Sequence, residues 1–325
     1  MTQALHDAPQ GARRRWVVGA VAVALLLATG GTALAEPATK VFLNGTPASV
    51  YVNDGDSFRV LSGPLEGSKA RLEGFNTLES YGPVHQWGTW TYKELYVLAK
   101  MSWENARDGV WHCESDMKTD TYGRTLWWCP DLAIDQVKKG LAHAMSVTAE
   151  PARPELLAAQ REAIAAKRGM WAHGVTDYVL TSIHSTEEAT DGQKTFNRLV
   201  SSRDGSSIKW KHDVDYTECQ EVCDVGFESP ERVTAATKAL RADASLAGFI
   251  AKYDDARLDR LLRKFAMKKD YQDELVAPTD GAALAPALEA LRLAGDIGRV
   301  GPPSCNYYVD FRRRFGGGKA VCLTW

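Results

Sequence analysis

The chain has 325 residues, of which 45% are hydrophobic and 25% charged, an ordinary globular balance without repeats or low-complexity tracts. This length exceeds one small domain and suits a leader plus two modest domains. A formal net charge of −2 excludes a global basic field, so any grip on phosphate must come from a few placed arginines and a metal.

The first residues read as a targeting segment. Arg13, Arg14 and Arg15 form a positive region, Trp16 to Ala35 carries no charge, and Ala33-Leu34-Ala35 precedes Glu36-Pro37. This pattern predicts an export signal over residues 1–35, cut after Ala35. The alternative is an uncleaved membrane anchor, since about 20 apolar residues can span a bilayer. Arg13-Arg14-Arg15-Trp16-Val17 also loosely fits a twin-arginine pattern. Loss of Arg13 to Arg15 and Asp7 takes the formal charge from −2 to −4. The six cysteines fall in sequence as Cys113/Cys129, Cys219/Cys223 and Cys305/Cys322. An even number argues for disulfides and a secreted or periplasmic location, with no stable membrane association after cleavage. Cys219 and Cys223, with His212 upstream, have a metal site as their alternative.

From Thr39 the chain has strand chemistry. Ala48 to Asn53 is β-branched and aromatic, Asp54-Gly55-Asp56 is a turn, and Ser57 to Leu61 and Lys69 to Phe75 follow as strands. Thr89 to Asp108 predicts a helix stopped by Gly109. Val110 to Glu114 and Arg124 to Trp128 are strands joined by a polar turn ending in Tyr122-Gly123. Asp135 to His143 and Glu155 to Arg168 predict two further helices. Three strands, a helix, two strands and two helices make an OB-fold arrangement. Beyond Gly174, Tyr178 to Ile183, Phe196 to Ser202 and Ser207 to Lys211 read as strands. Glu231 to Glu274 and Ala282 to Leu293 read as helical. Cys305 to Trp325 reads as a hairpin around Gly316-Gly317-Gly318. Its Arg312, Arg313, Arg314 and Lys319, beside Tyr307, Tyr308, Phe311 and Phe315, suit either a solvated face or a single-strand platform.

Four elements carry chemistry. Asp54 and Asp56, separated by glycine, can aim oxygens at one hard cation. Arg71 in a strand can fork onto phosphate. Asn76 or the Thr77 carbonyl can complete a metal shell, and Glu79 can hold a water. Asp120-Thr121-Tyr122-Gly123-Arg124 offers a second guanidinium for the extra negative charge of phosphodiester cleavage. The strand and helix context can bring these pieces to one barrel face. Taken alone, the Asp-Gly-Asp turn reads more readily as a hairpin and the Arg71 to Glu79 residues as a solvated strand end; the set is the signal.

From about Pro47 to Trp171 the chain resembles the staphylococcal nuclease (thermonuclease) family. The resemblance rests on Pro47 to Ser57 with its Asp-Gly-Asp turn and on the spacing of Arg71, Asn76, Thr77 and Glu79. It also rests on Asp120-x-Tyr-Gly-Arg124, on Val137 to Ala144, and on Ala158 to Trp171 with its closing Trp. It implies an α+β architecture. A five-stranded OB-fold β-barrel with three helices would occupy residues 40–175; residues 176–325, outside the resemblance, read from their own strand and helix patterns as a second α+β domain of unknown type. It implies calcium as cofactor, held by Asp56 with Asn76 and the Thr77 carbonyl, with Asp54 bonding behind them. Glu79 would orient or deprotonate water, Arg71 and Arg124 would bind phosphate, and Tyr122 would line the nucleotide pocket. The implied activity is hydrolysis of DNA or RNA with little sequence selectivity. Asn76 stands where the family has aspartate, and Leu78 where it has proline. The lost charge lowers expected calcium affinity and keeps open a second reading, a barrel that binds nucleic acid or protein without cutting.

Overall fold

The computed structural model describes residues 39–188, 195–224, 230–268, 275–294, 296–297, 304–310 and 319–324. The leader expected over residues 1–35 and the basic residues 312–314 lie outside the described residues. Among the described residues, no helix is long and apolar enough to cross a membrane.

The chain opens with β1 (Thr39–Leu43) and β2 (Thr46–Asp54), then β3 (Ser57–Val60) and β4 (Lys69–Leu72). Asn44 and Gly45 join the first pair at φ values of 48° and 81°, the conformation of a two-residue hairpin that favours Asn-Gly. Two short strands follow, β5 (Phe75–Thr77) and β6 (Val84–Gln86). Helix α1 (Tyr92–Asp108) begins at a capping box, in which Thr91 and Glu94 bond each other's backbone N–H. After it come β7 (Val110–Cys113), β8 (Thr125–Trp127), α2 (Pro130–Lys138), β9 (Ala142–Ala144) and α3 (Pro154–Ala165).

The principal sheet has six strands in the order β7-β1-β2-β3-β4-β8, one more than the expected five, because Asn44-Gly45 divides the first strand chemistry in two. Alternation sends Val50, Val52, Phe58, Val60, Ala70 and Leu72 into one core. The sheet curls until its edges meet. Glu114 and Trp128 exchange backbone hydrogen bonds of 2.8 and 2.9 Å, and a disulfide joins the neighbouring Cys113 and Cys129.

The helix expected over Asp135 to His143 starts earlier, because Pro130 and Asp131 fit a first turn. Its last residues instead form β9, which pairs antiparallel with β5 and sets Asn76 opposite His143.

Past residue 175 the chain forms β10 (Tyr178–Ser182), β11 (Thr195–Ser201) and β12 (Ser207–His212), an antiparallel meander. β13 (Glu221–Cys223) precedes α4 (Pro230–Ala242), α5 (Ala247–Ile250), α6 (Asp255–Lys268) and α7 (Pro278–Leu293). The single helical stretch expected over Glu231 to Glu274 is thus broken. Asp243 turns back on Ser245 N–H at 2.8 Å, and Asp254 accepts from Arg257 N–H at 2.7 Å where α6 begins. Leu258, Leu261, Leu262 and Phe265 are buried as core.

The last strand, β14 (Cys305–Tyr307), lies between β13 and β6. Strands from both sides of residue 175 therefore share one sheet, and Pro37–Trp325 form one compact unit. The disulfides Cys219–Cys322 and Cys223–Cys305 secure this region. The four cysteines pair across the sequence rather than with their nearest neighbours. Their sulfurs are bonded to each other, which removes the Cys219/Cys223 metal site. All six cysteines are oxidised, as in an oxidising compartment.

Candidate active site

The site begins at the tight turn between β2 and β3. A Cβ on Gly55 would lie 1.9 Å from Ser102 Oγ on α1 and 2.6 Å from Thr77 Cγ2 on β5. Only glycine lets the turn settle against both elements. Asp54 Oδ1 accepts from Ser57 Oγ at 2.6 Å and from Asp56 N–H at 3.2 Å, which fixes the direction of the Asp56 side chain.

That side chain is only 3% exposed. Its Oδ1 accepts a short hydrogen bond from Arg71 Nη1, and its Oδ2 accepts from Thr77 N–H at 2.8 Å. Burial pushes the Asp56 carboxyl well up; the Arg71 charge opposes this, and Asp54 and Glu79 add to it. The other arm of the guanidinium, Arg71 Nη2, donates to Asn76 Oδ1 at 2.6 Å, and Asn76 Nδ2 donates to the Thr77 carbonyl at 2.7 Å. Rotating the amide would face donor to donor and oxygen to oxygen, so its orientation is settled by its partners.

Glu79 follows in the loop after β5, and its backbone N–H donates to His85 Nε2 at 3.3 Å. Arg124 stands at the foot of β8, held by Asp120 through Nε at 2.8 Å and Nη2 at 2.7 Å. The other oxygen of Asp120 accepts the N–H groups of Tyr122 and Arg124, each at 2.9 Å. Tyr122 is 64% exposed, with its ring centroid 5.5 Å from the Arg124 guanidinium.

Arg71 links these pieces. Burial works against its charge, but Asp56, Asp54, Glu79 and Asp120 outweigh the burial and hold its pKa above the usual arginine value. One guanidinium therefore feels the β2–β3 turn, the Glu79 loop and the acid that orients Arg124. The oxygens of Asp56, Asn76 and Thr77 are all hard donors joined through shared partners, a set that suits calcium in chemistry. Arg71 bonds two of them directly.

Two histidines behind the site carry no signal in the motifs. His143 was expected on a helix, and its place opposite Asn76 depends on pairing between distant strands. His85 and His143 are each 1% exposed. Burial, with His143 beside it, pushes His85 down to about 3. Burial likewise pushes His143 down to about 4, with Arg71 adding to the effect against the Ala144 carbonyl.

Unfolded histidine titrates near 6.5, so acidification protonates the unfolded chain first. The histidine contribution to stability should hold above pH 6.5 and fall as pH drops towards 4, whereas the raised Asp56 carboxyl acts in the opposite sense. The expected loss is about 2 kcal/mol per histidine between pH 7 and pH 5. Urea unfolding at the two pH values checks this, and His85→Gln should remove one histidine's share of the slope. An unchanged slope in the variant contradicts the buried neutral state.

Asp120 is the other residue without an assigned role in the motifs, although an acid four residues before an arginine is a readable pairing signal. Residues 69–173 match the model of the staphylococcal nuclease homologue family, and this segment of the chain is a domain of that family. Arg71, Asn76, Thr77, Glu79, Tyr122 and Arg124 fall inside the match, whereas Asp54 and Asp56 precede it. No curated protein matches the chain.

Proposed function

We propose that this staphylococcal nuclease homologue domain is the catalytic part of an exported, calcium-dependent phosphodiesterase that hydrolyses DNA or RNA. The observation that carries the reading is the placing of Arg71. It bonds two of the three candidate metal oxygens, Asp56 Oδ1 and Asn76 Oδ1, within electrostatic reach of Glu79 and Asp120.

Asp56, the Asn76 amide oxygen and the Thr77 carbonyl would hold calcium. Bound there, the ion would supply positive charge beside the scissile phosphate. Asp54 keeps the Asp56 carboxylate aimed. Arg71 must release Asp56 and Asn76 to fork onto the phosphate, and it exchanges one set of oxygens for another. Arg124 brings the second guanidinium, and exposed Tyr122 offers a ring beside it. Glu79 orients or deprotonates the attacking water. The curled six-stranded sheet and the helices α1 to α3 support reading this part as an OB-fold variant, and we read the meander with α4 to α7 as a second α+β part.

The direct test is cleavage of a single-stranded oligonucleotide with calcium and with a chelator. Cleavage should appear with calcium and stop on chelation. Cutting that persists in chelator removes calcium from the reading. Binding without cutting in calcium favours the module reading, which Asn76 supports.

Asn76→Asp separates two effects of the amide. The carboxylate would face the Thr77 carbonyl across 2.7 Å, replacing a hydrogen bond by oxygen against oxygen. Without calcium, stability should fall by about 1–3 kcal/mol. With calcium the extra charge should tighten binding about tenfold or more. Thermal melting with and without calcium, beside calcium titration calorimetry, gives both numbers. Equal calcium affinity in the two proteins removes Asn76 from the proposed shell.

A further inference from the structure

The outer face of the principal sheet carries an aromatic and basic row that no part of the proposed chemistry uses. Tyr51, Arg59 and Lys69 stand directly opposite one another on β2, β3 and β4. Their neighbours Val50, Val52, Phe58, Val60 and Ala70 are buried. Strand alternation therefore turns the three outward, and all three are exposed. Arg71 follows Lys69 by two residues on the same strand, so it lies on the same face. The row thus begins one step from the candidate site.

A second group extends it. Tyr81 lies two residues after Glu79 and is 45% exposed. Lys100 Nζ, on α1, sits 4.2 Å from the Tyr81 ring centroid and 5.3 Å from that of Tyr96. Burial, then Tyr51, Tyr96 and Asp54, push the Tyr81 hydroxyl up, so Tyr81 lies within electrostatic reach of the row.

Scattered exposed rings are normal on a protein surface, and a lysine over a ring is often packing. Three observations set this face apart. Tyr51 and Tyr81 are both half-exposed, and Tyr51 acts electrostatically on the Tyr81 hydroxyl. Among the described residues, Arg59, Lys69 and Lys100 are in no ion pair with a carboxylate. The chain as a whole is slightly acidic, so a local run of cations is not a by-product of composition. Flat rings beside cations suit a chain that offers a base and a phosphate at each step.

We propose that this face is a ledge for single-stranded polynucleotide, on which bases flanking the scissile phosphate stack on Tyr51 and Tyr81 while Arg59, Lys69 and Lys100 follow the backbone. Its alignment with the site rests on the phosphodiesterase reading, but its binding needs no catalysis.

The test uses the full chain, a fluorescein-labelled twelve-nucleotide oligothymidylate, and anisotropy in chelator at low salt. Tyr51→Ala/Tyr81→Ala should weaken binding roughly 10- to 100-fold. Tyr51→Phe/Tyr81→Phe, which keeps the rings, should restore it to within about threefold. Arg59→Ala should lower the slope of log affinity against log salt by about 0.7. In calcium, the alanine pair should cleave a dinucleotide as wild type does and lose efficiency only on the twelve-mer.

Twelve-mer affinity within twofold of wild type in the alanine pair overturns the ledge, as does absent binding by the wild type. Failure of the phenylalanine pair to restore binding overturns the stacking role. If the wild type cuts neither substrate while the alanine pair still loses twelve-mer binding, the ledge stands and the phosphodiesterase reading falls.

Discussion

Arg71→Met should reduce kcat/KM on single-stranded DNA by roughly 100- to 1000-fold and cost about 3–5 kcal/mol of stability. The two losses have one origin. Asp56 is 2% exposed, and its Oδ1 has the Arg71 guanidinium as its cationic partner. Removing that partner strands a carboxylate where burial already disfavours its charge. The same change removes one of two guanidinium groups available to the phosphate. Arg71→Lys divides the effects, because an ammonium can pair with Asp56 but cannot fork. That variant should recover most of the stability and little of the rate. Calcium should raise the melting temperature of Arg71→Met more than that of the wild type, since the oxygens of Asp56 and Asn76 are no longer taken by the guanidinium. Urea midpoints, thermal shifts with and without calcium, and single-turnover rates measure each part. A methionine variant that cuts within tenfold of the wild-type rate ends the assignment of Arg71 to the phosphate.

Glu79→Gln should lower kcat by roughly 100- to 10,000-fold while leaving substrate affinity equal or improved. Glutamine keeps the size of the side chain and the backbone N–H that reaches His85 Nε2. It removes the carboxylate that acts on Asp56 and Arg71. A phosphate approaching Arg71 then meets less negative charge, so binding does not suffer. The separation of kcat from affinity is the informative readout, because a variant that had merely lost its shape would lose both. An unchanged kcat leaves the attacking water without its proposed base.

The parts of the site that the sequence makes legible are those in which partners are close along the chain. The Asp54-Gly55-Asp56 turn, the Arg71 to Glu79 run and Asp120 to Arg124 each lie within a few consecutive residues of the chain. Their spacing therefore survives as a motif. Asn44-Gly45 belongs to the same class: a readable hairpin signal whose neglect cost the sheet one strand in the expected count. The histidine pair was hidden for the opposite reason. His143 reaches Asn76 only through β5–β9 pairing, and the preceding helical pattern over Asp135 to Val137 favoured carrying the helix forward through it. Disulfide partners 103 and 82 residues apart likewise leave no local trace. Nor does a strand in the last fifth of the chain that joins β6. Composition showed no basic surface, because the cations of the ledge are few and are gathered by cross-strand register rather than by sequence.

The pairing of β14 with β6 bears on when the candidate site becomes complete. Asn306 stands opposite His85, the residue that receives the Glu79 backbone N–H, and Cys305 beside it is bonded to Cys223. A growing chain lacks this backing until residue 307 has been synthesised, and a reduced chain lacks its covalent tether. Under the proposed activity, the strand behind the Glu79 loop would be completed only by late residues of the chain and tied down only by oxidation.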